Sequence, residues 1–260
     1  LSKTYGGRTF LSRNARVVKA AQNVNFQIRR GETLGIVGES GSGKTTVARC
    51  VARLIEPSDG QILIDGNDVA HLPERDLRRH RRNIQIVFQD PYRSLNPRRT
   101  VGQSIVEGPM NFGMERDEAL AKAQELMGLV GLAPDALDRY PHQFSGGQRQ
   151  RICIARALAM SPTLLIADEA VSALDVSVQA QVLELLDDIR KKFQLAVLFI
   201  THDLRVAAQI CDRIAVMKNG VVVEEGTTVD VFRNPQHEYT KALFDAAPGR
   251  MFGVKESHVA

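Results

Sequence analysis

Cysteine is scarce in this chain of 260 residues: Cys50, Cys153 and Cys211 lie far apart and form no C-x-x-C pair. Their spacing excludes a disulfide framework and gives no zinc-site pattern, so reduced and mostly buried thiols are expected. Long hydrophobic runs are missing too. The longest, such as "LAVLFI" from Leu195, fall well short of the roughly 20 apolar residues that a membrane-crossing helix needs. No internal repeat or low-complexity tract interrupts the chain. It opens "LSKTYGG", without an initiator methionine and without the apolar core of a secretory signal, which leads us to expect that further sequence preceded Leu1.

The bulk composition is that of an ordinary globular chain, with 43% hydrophobic and 25% charged residues. A formal charge of +4 and a pI near 9.1 suit nucleic acid, an anionic membrane surface or a phosphate ligand equally, and select none of them. The length is enough for a substantial core, and one compact unit with a subdomain is expected.

Apolar alternation from Val17 to Ile36 predicts two strands around a turn at Arg30–Gly31, the second running directly into a glycine-rich loop. A hairpin is predicted around "DGQILIDGNDV", where Asp59–Gly60 and Asp65–Gly66 punctuate the pattern. "IQIVFQD" reads as a buried strand, and the texture from about Pro91 to Met160 then turns helical and polar, as an inserted helical subdomain would. Two further apolar strands, from Thr163 and from Leu195, flank the helical pattern "SVQAQVLELLDDIRKKF" and make a β-α-β unit with parallel strands. "RIAVMKNGVVVEEG" predicts a hairpin turning at Asn219–Gly220, and a helix follows from about Pro235.

The most specific local pattern is "GESGSGKTT". Gly38, Glu39, Ser40, Gly41, Ser42, Gly43, Lys44 and Thr45, with Thr46 next, fit G-x-x-x-x-G-K-[ST] between an apolar strand and a helix. Glycines let successive backbone N–H groups turn inward on an anion, the helix N-terminus adds its positive end, Lys44 adds a charge, and Thr45 can ligate Mg²⁺. The implied ligand is a nucleoside triphosphate. Farther on, "LLIAD" and then Glu169 end a buried strand in two carboxylates, at the strand end where parallel α/β sheets bind their ligands. Alone, such a pair is a routine helix cap. Beside a phosphate loop, Asp168 can hold Mg²⁺ and Glu169 can act as general base toward water.

A third motif narrows the reading. "FSGGQRQR" from Phe144 puts Ser145, Gly146, Gly147 and Gln148 at the start of a helical run, a second anion-binding helix end in one chain. With it, the chain resembles, over nearly its whole length, the nucleotide-binding subunits of ATP-binding cassette (ABC) transporters, whose signature is L-S-G-G-Q. Phe144 replaces the usual leucine and Ala170 the usual proline. The resemblance implies an α/β P-loop NTPase fold with a mainly parallel sheet, an N-terminal antiparallel β subdomain and an inserted α-helical subdomain. As a single cassette the expected division is 1–90 with 160–234 for the RecA-like core, 91–159 for the helical signature subdomain, and 235–260 for a helical tail.

The same resemblance assigns roles by position. Gln89 in "IVFQDP" corresponds to the glutamine that contacts Mg²⁺ and the attacking water, Asp175 in "SALD" to the D-loop, and His202 in "ITHD" to the histidine that contacts the γ-phosphate. Tyr5 matches the aromatic that stacks on adenine, with Phe10 as its competitor. Two such cassettes, identical or paralogous, are expected to pair head to tail, each ATP lying between one phosphate loop and the other signature.

"VFQDPYRSLNPRRTVGQSI", "DEAVSALDVSVQAQVLELL" and "NPQHEYTKALFDAAP" look like the ATPases of bacterial peptide importers, a group that includes nickel and glutathione systems. That implies two transmembrane permease subunits, an extracytoplasmic binding protein that acts indirectly, no nucleic-acid partner, and a peripheral place on the cytoplasmic face of the inner membrane. The missing methionine would suit the C-terminal half of a fused pair. The basic run "RDLRRHRRN" from Arg75 fits either a solvated face or contact with permease loops or anionic headgroups. A soluble ABC ATPase acting on ribosomes or DNA would share every ATP-handling residue and is the alternative.

Overall fold

The computed structural model of the chain describes residues 1–6 and 17–246. The described residues of Leu1–Arg81 and Val197–Ala260 form one compact unit, and Arg82–Ala196 forms another. In the first segment, strands β1 (Lys3–Tyr5) and β2 (Val18–Ala21) pair antiparallel. They are followed by β3 (Thr33–Val37), α1 (Lys44–Val51), the short hairpin β4 (Leu63–Ile64) and β5 (Asn67–Asp68), and α2 (Glu74–Arg81). The hairpin turns at Asp65–Gly66, both at positive φ, as the sequence predicts. The expected strand upstream of the Arg30–Gly31 turn is shorter than its alternation suggests: Asn23 adopts a left-handed φ of 48° and bends the chain out of β2.

The middle segment carries β6 (Ile84–Phe88), α3 (Pro91–Ser94), α4 (Val101–Asn111), α5 (Arg116–Leu129), α6 (Gly146–Leu158), β7 (Leu164–Asp168) and α7 (Val176–Phe193). Strands β6 and β7 are parallel neighbours in a register from Ile84 opposite Leu164 to Phe88 opposite Asp168. Both α4 and α6 open on reciprocal capping boxes, Thr100 with Gln103 and Ser145 with Gln148, which satisfy backbone donors that a helix start otherwise leaves bare. Helix α7 starts on Asp175 and stops at Gln194, which takes the left-handed C-cap conformation at φ 49°.

The last segment completes the first unit with β8 (Ala196–Ile200), α8 (Leu204–Ile210), β9 (Arg213–Lys218), β10 (Val221–Thr227), α9 (Thr228–Arg233) and α10 (Glu238–Asp245). Here β3 lies between β8 and β9, parallel to both, and β10 adds an antiparallel edge. Every residue of β3 and β8 is buried, which is why both read as continuous apolar runs rather than alternating ones. The β9–β10 turn is Asn219–Gly220, both at positive φ, a pairing that two-residue hairpins favour. The fold is thus an α/β P-loop NTPase arrangement, mainly parallel, with antiparallel β elements at its N-terminal end.

All three cysteines are buried. Burial pushes the Cys153 thiol up to about 11 and raises Cys50 as well, so both stay protonated and unreactive at neutral pH. Cys211 has a packing role. A Cβ added at Gly35, in the middle of β3, would lie 2.5 Å from its sulfur. Gly35→Ala is expected to cost about 1–3 kcal/mol by overpacking, read from the urea midpoint. Combining it with Cys211→Ala should be less destabilising than the sum of the single changes, and strict additivity would show that the two residues do not share this space.

Candidate functional site

The glycine loop grows out of β3 and ends where α1 begins, so three of its glycines sit where side chains fail for different reasons. A Cβ on Gly38 would fall 2.2 Å from the Met217 carbonyl oxygen, and one on Gly43 2.1 Å from that of Ala20. These two are therefore clamped between β9 and β2. Gly41, at φ 81°, has nothing within 4 Å of its would-be Cβ and faces open space. The loop is also pinned at Ser42, whose carbonyl accepts the Gly220 N–H at 2.8 Å.

Lys44 does not point into solvent. It is only 4% exposed, and its ammonium donates to the carbonyls of Gly38 and Glu39, both at 2.8 Å, with the Ser42 hydroxyl at 3.5 Å. Thr45 and Thr46 follow in the first turn of α1, where no acidic residue offsets the positive helix end. Glu39, Ser40 and Gly41 form the exposed crest.

His202 leaves β8 at the same edge. Ile36 and Ile200 are register partners, and the Thr201 N–H donates to the Ile36 carbonyl at 3.2 Å, which places exposed His202 beside the strand that feeds the loop. Tyr5 closes β1, with the Lys3 ammonium 5.2 Å from its ring centre. Its register partner is Val18, on the strand whose Ala20 touches Gly43. Phe10 lies outside the described residues.

In the other unit the β6–β7 register brings Gln89, Asp168 and Glu169 together. Phe88 is opposite Asp168, so Gln89 and Glu169 leave neighbouring strands side by side. Asp168 is buried at 6% exposure. Glu169 is half-buried and holds φ 50°, an uncommon conformation for a residue with a side chain, and its carbonyl accepts from both the N–H and the hydroxyl of Ser172. Ala170 behind it is buried.

Ser145 caps α6 by accepting the Gln148 N–H at 3.3 Å while the Gln148 side chain accepts the Ser145 N–H at 2.9 Å. Gly147 is closely packed: a Cβ there would fall 2.2 Å from Val178 Cγ1, so one of the two would have to shift. Gly146 is looser, with Leu174 at 3.9 Å. Asp175 caps α7, where the Val178 N–H and the Ser177 hydroxyl hold its carboxyl below the usual carboxylate range. The signature and the D-loop therefore share a contact through Val178. Phe144 is buried at 7% exposure, so the exchange of leucine for phenylalanine keeps an apolar anchor.

Other residues at these loops received no role from the sequence. Three side chains of α6 grip the segment around Gln89: Gln150 donates to the Phe88 carbonyl at 3.3 Å, Arg149 lies 3.8 Å over the Tyr92 ring, and Arg156 donates to the Ser94 carbonyl. In the first unit the hydroxyl of Tyr239, on α10, accepts the Glu39 N–H of the phosphate loop at 3.2 Å. Nothing in the periodicity of the tail marks that tyrosine.

The ABC transporter family model matches residues 21–172. The oligopeptide transport ATP-binding protein AppF of Bacillus subtilis is 52% identical over 237 residues, 89% of this chain and 71% of that one. The glutathione import ATP-binding protein GsiA of Escherichia coli O157:H7 is 51% identical over 239 residues, 92% of this chain but 38% of that longer protein. Among solved structures, a dimeric post-hydrolysis ATP-binding cassette bound to ADP and Pi superposes with a TM-score of 0.76 at 32% identity, covering 87% of this chain and 96% of that one. With the family model spanning over half of its residues, the chain belongs to the ABC transporter family.

Proposed function

We propose that this chain is the ATP-hydrolysing subunit or domain of a bacterial ABC importer of the peptide type. The observation that carries the reading is the clamped glycine loop with Lys44 folded onto its own carbonyls, together with about half identity to an oligopeptide transport ATP-binding protein over 89% of the chain.

In this reading Gly38 to Thr46 receive the phosphates of ATP. Lys44 exchanges a carbonyl contact for a phosphate oxygen, and the N–H groups from Gly41 onward, with the start of α1, supply the remaining donors. Thr45 in the first unit offers a hydroxyl, and Gln89 and Asp168 in the second offer an amide oxygen and a carboxylate, all hard oxygen donors of the kind Mg²⁺ prefers. Mg²⁺ held by such donors would neutralise charge on the phosphates. Glu169 takes a proton from the attacking water, Gln89 orients that water, and His202 contacts the γ-phosphate. Tyr5 stacks on the adenine.

Ser145, Gly146, Gly147 and Gln148 would face the nucleotide of a second cassette, identical or paralogous, with Asp175 at the junction. Their exposure fits that use: Ser145, Gln148 and Asp175 are all exposed, and α6 runs for 13 residues behind the Ser145 cap. No helix among the described residues is long and apolar enough to cross a membrane. In the importer reading two permease subunits would provide the path, an extracytoplasmic binding protein would deliver the substrate, and this chain would sit peripherally on the cytoplasmic face.

Glu169→Gln is expected to keep ATP binding and to slow hydrolysis by about 10²- to 10⁴-fold, the usual worth of a general base. Single-turnover assays on purified protein would measure it, and near-wild-type turnover would remove Glu169 from that role. Gly147→Ala should likewise leave nucleotide binding by the phosphate loop intact while abolishing most hydrolysis, because the added methyl forces the start of α6 away from Val178. An unchanged rate would show that the close packing there is irrelevant to the reaction.

A further inference from the structure

The peptide group joining Gly38 to Glu39 is held from both ends. Its carbonyl oxygen accepts the Lys44 ammonium at 2.8 Å, and its N–H donates to the Tyr239 hydroxyl at 3.2 Å. Tyr239 belongs to α10, some 200 residues away in sequence and outside the stretch 21–172 that the family model matches. The tyrosine is 7% exposed, and its bond to the loop N–H is part-buried, the Glu39 end lying on the exposed crest. The ring also carries the Lys218 ammonium 4.5 Å from its centre, at the end of β9, the strand whose Met217 carbonyl walls in Gly38.

The tyrosine is itself firmly set. His237 Nδ1 accepts the Tyr239 N–H at 3.0 Å, and the Glu224 carboxylate on β10 accepts the N–H groups of Gln236 and His237 at 2.8 and 3.0 Å. Phe244 of α10 stacks on Phe232 of α9 with centroids 4.7 Å apart. Through these contacts the C-terminal helix acts as a brace against the crest of the phosphate loop.

We infer that Tyr239 is a positioning residue for ATP: by fixing the plane of the Gly38–Glu39 peptide, it fixes the carbonyl on which Lys44 rests and hence the geometry in which Lys44 meets the phosphates. The inference rests on the ATP-binding role proposed for the loop. Acting through the loop, Tyr239 would have its effect on binding, equally in the ground and transition states.

The test is Tyr239→Phe in the full chain, which keeps the ring, its packing and the Lys218 contact and removes only the acceptor. Losing one part-buried hydrogen bond of this kind should raise both the KM for ATP and the equilibrium Kd for ATP about three- to tenfold, with kcat held within about twofold. Glu39→Pro removes the same bond from the donor side, since proline has no N–H. It should raise the KM into the same range, and adding Tyr239→Phe to it should raise the KM no further. An unchanged KM in Tyr239→Phe, a loss in kcat alone, or additive effects of the two changes would overturn the inference. Failure of the unaltered chain to bind ATP would instead overturn the proposed function.

Discussion

A buried ammonium resting on the backbone of its own loop is the interaction on which the rest depends. Withdrawing a lysine from water is costly unless its donors are satisfied. Here the carbonyls of Gly38 and Glu39 and the hydroxyl of Ser42 surround Lys44 at 2.8, 2.8 and 3.5 Å. Such an arrangement survives only in a rigid loop, and the rigidity comes from outside it. Met217 and Ala20 wall in Gly38 and Gly43, Gly220 pins Ser42, and β3 is locked between two parallel neighbours. The parallel strands thus set the shape of the loop, and the loop sets where a positive charge waits.

The second unit follows the same logic with carboxylates in place of the ammonium. A β6–β7 register with Phe88 opposite Asp168 makes Gln89 and Glu169 neighbours, and the left-handed turn at Glu169 redirects the chain immediately after the strand. Packing of Gly147 on Val178 then joins the start of α6 to the start of α7. In each unit the groups with candidate chemistry lie at strand ends or helix starts, where backbone donors are in surplus and a small number of side chains can be held without flexibility.

Much of this was legible in the sequence because the informative signals are local. The phosphate loop announces itself through glycine spacing, the strand before it and the helix after it, and the hairpins at Asp65–Gly66 and Asn219–Gly220 through turn chemistry. The fully buried strands β3 and β8 were legible as apolar runs. What failed was local alternation without local pairing: "NVNFQI" has a strand's period, yet Asn23 turns the chain away, and Val24 donates instead to the Leu1 carbonyl. The contacts that stayed invisible are nonlocal. Tyr239 reaches Glu39 across 200 positions, and Gln150 reaches Phe88 across 62, and neither separation leaves a trace in periodicity or spacing.

The transport role is the central claim, and the most direct measurement is to capture the tagged full-length chain from gently solubilised cells and identify by mass what accompanies it. The account predicts two polytopic membrane proteins in amounts comparable to the chain itself. Ribosomal components or DNA in their place would contradict it, leaving the ATP chemistry attached to a different task.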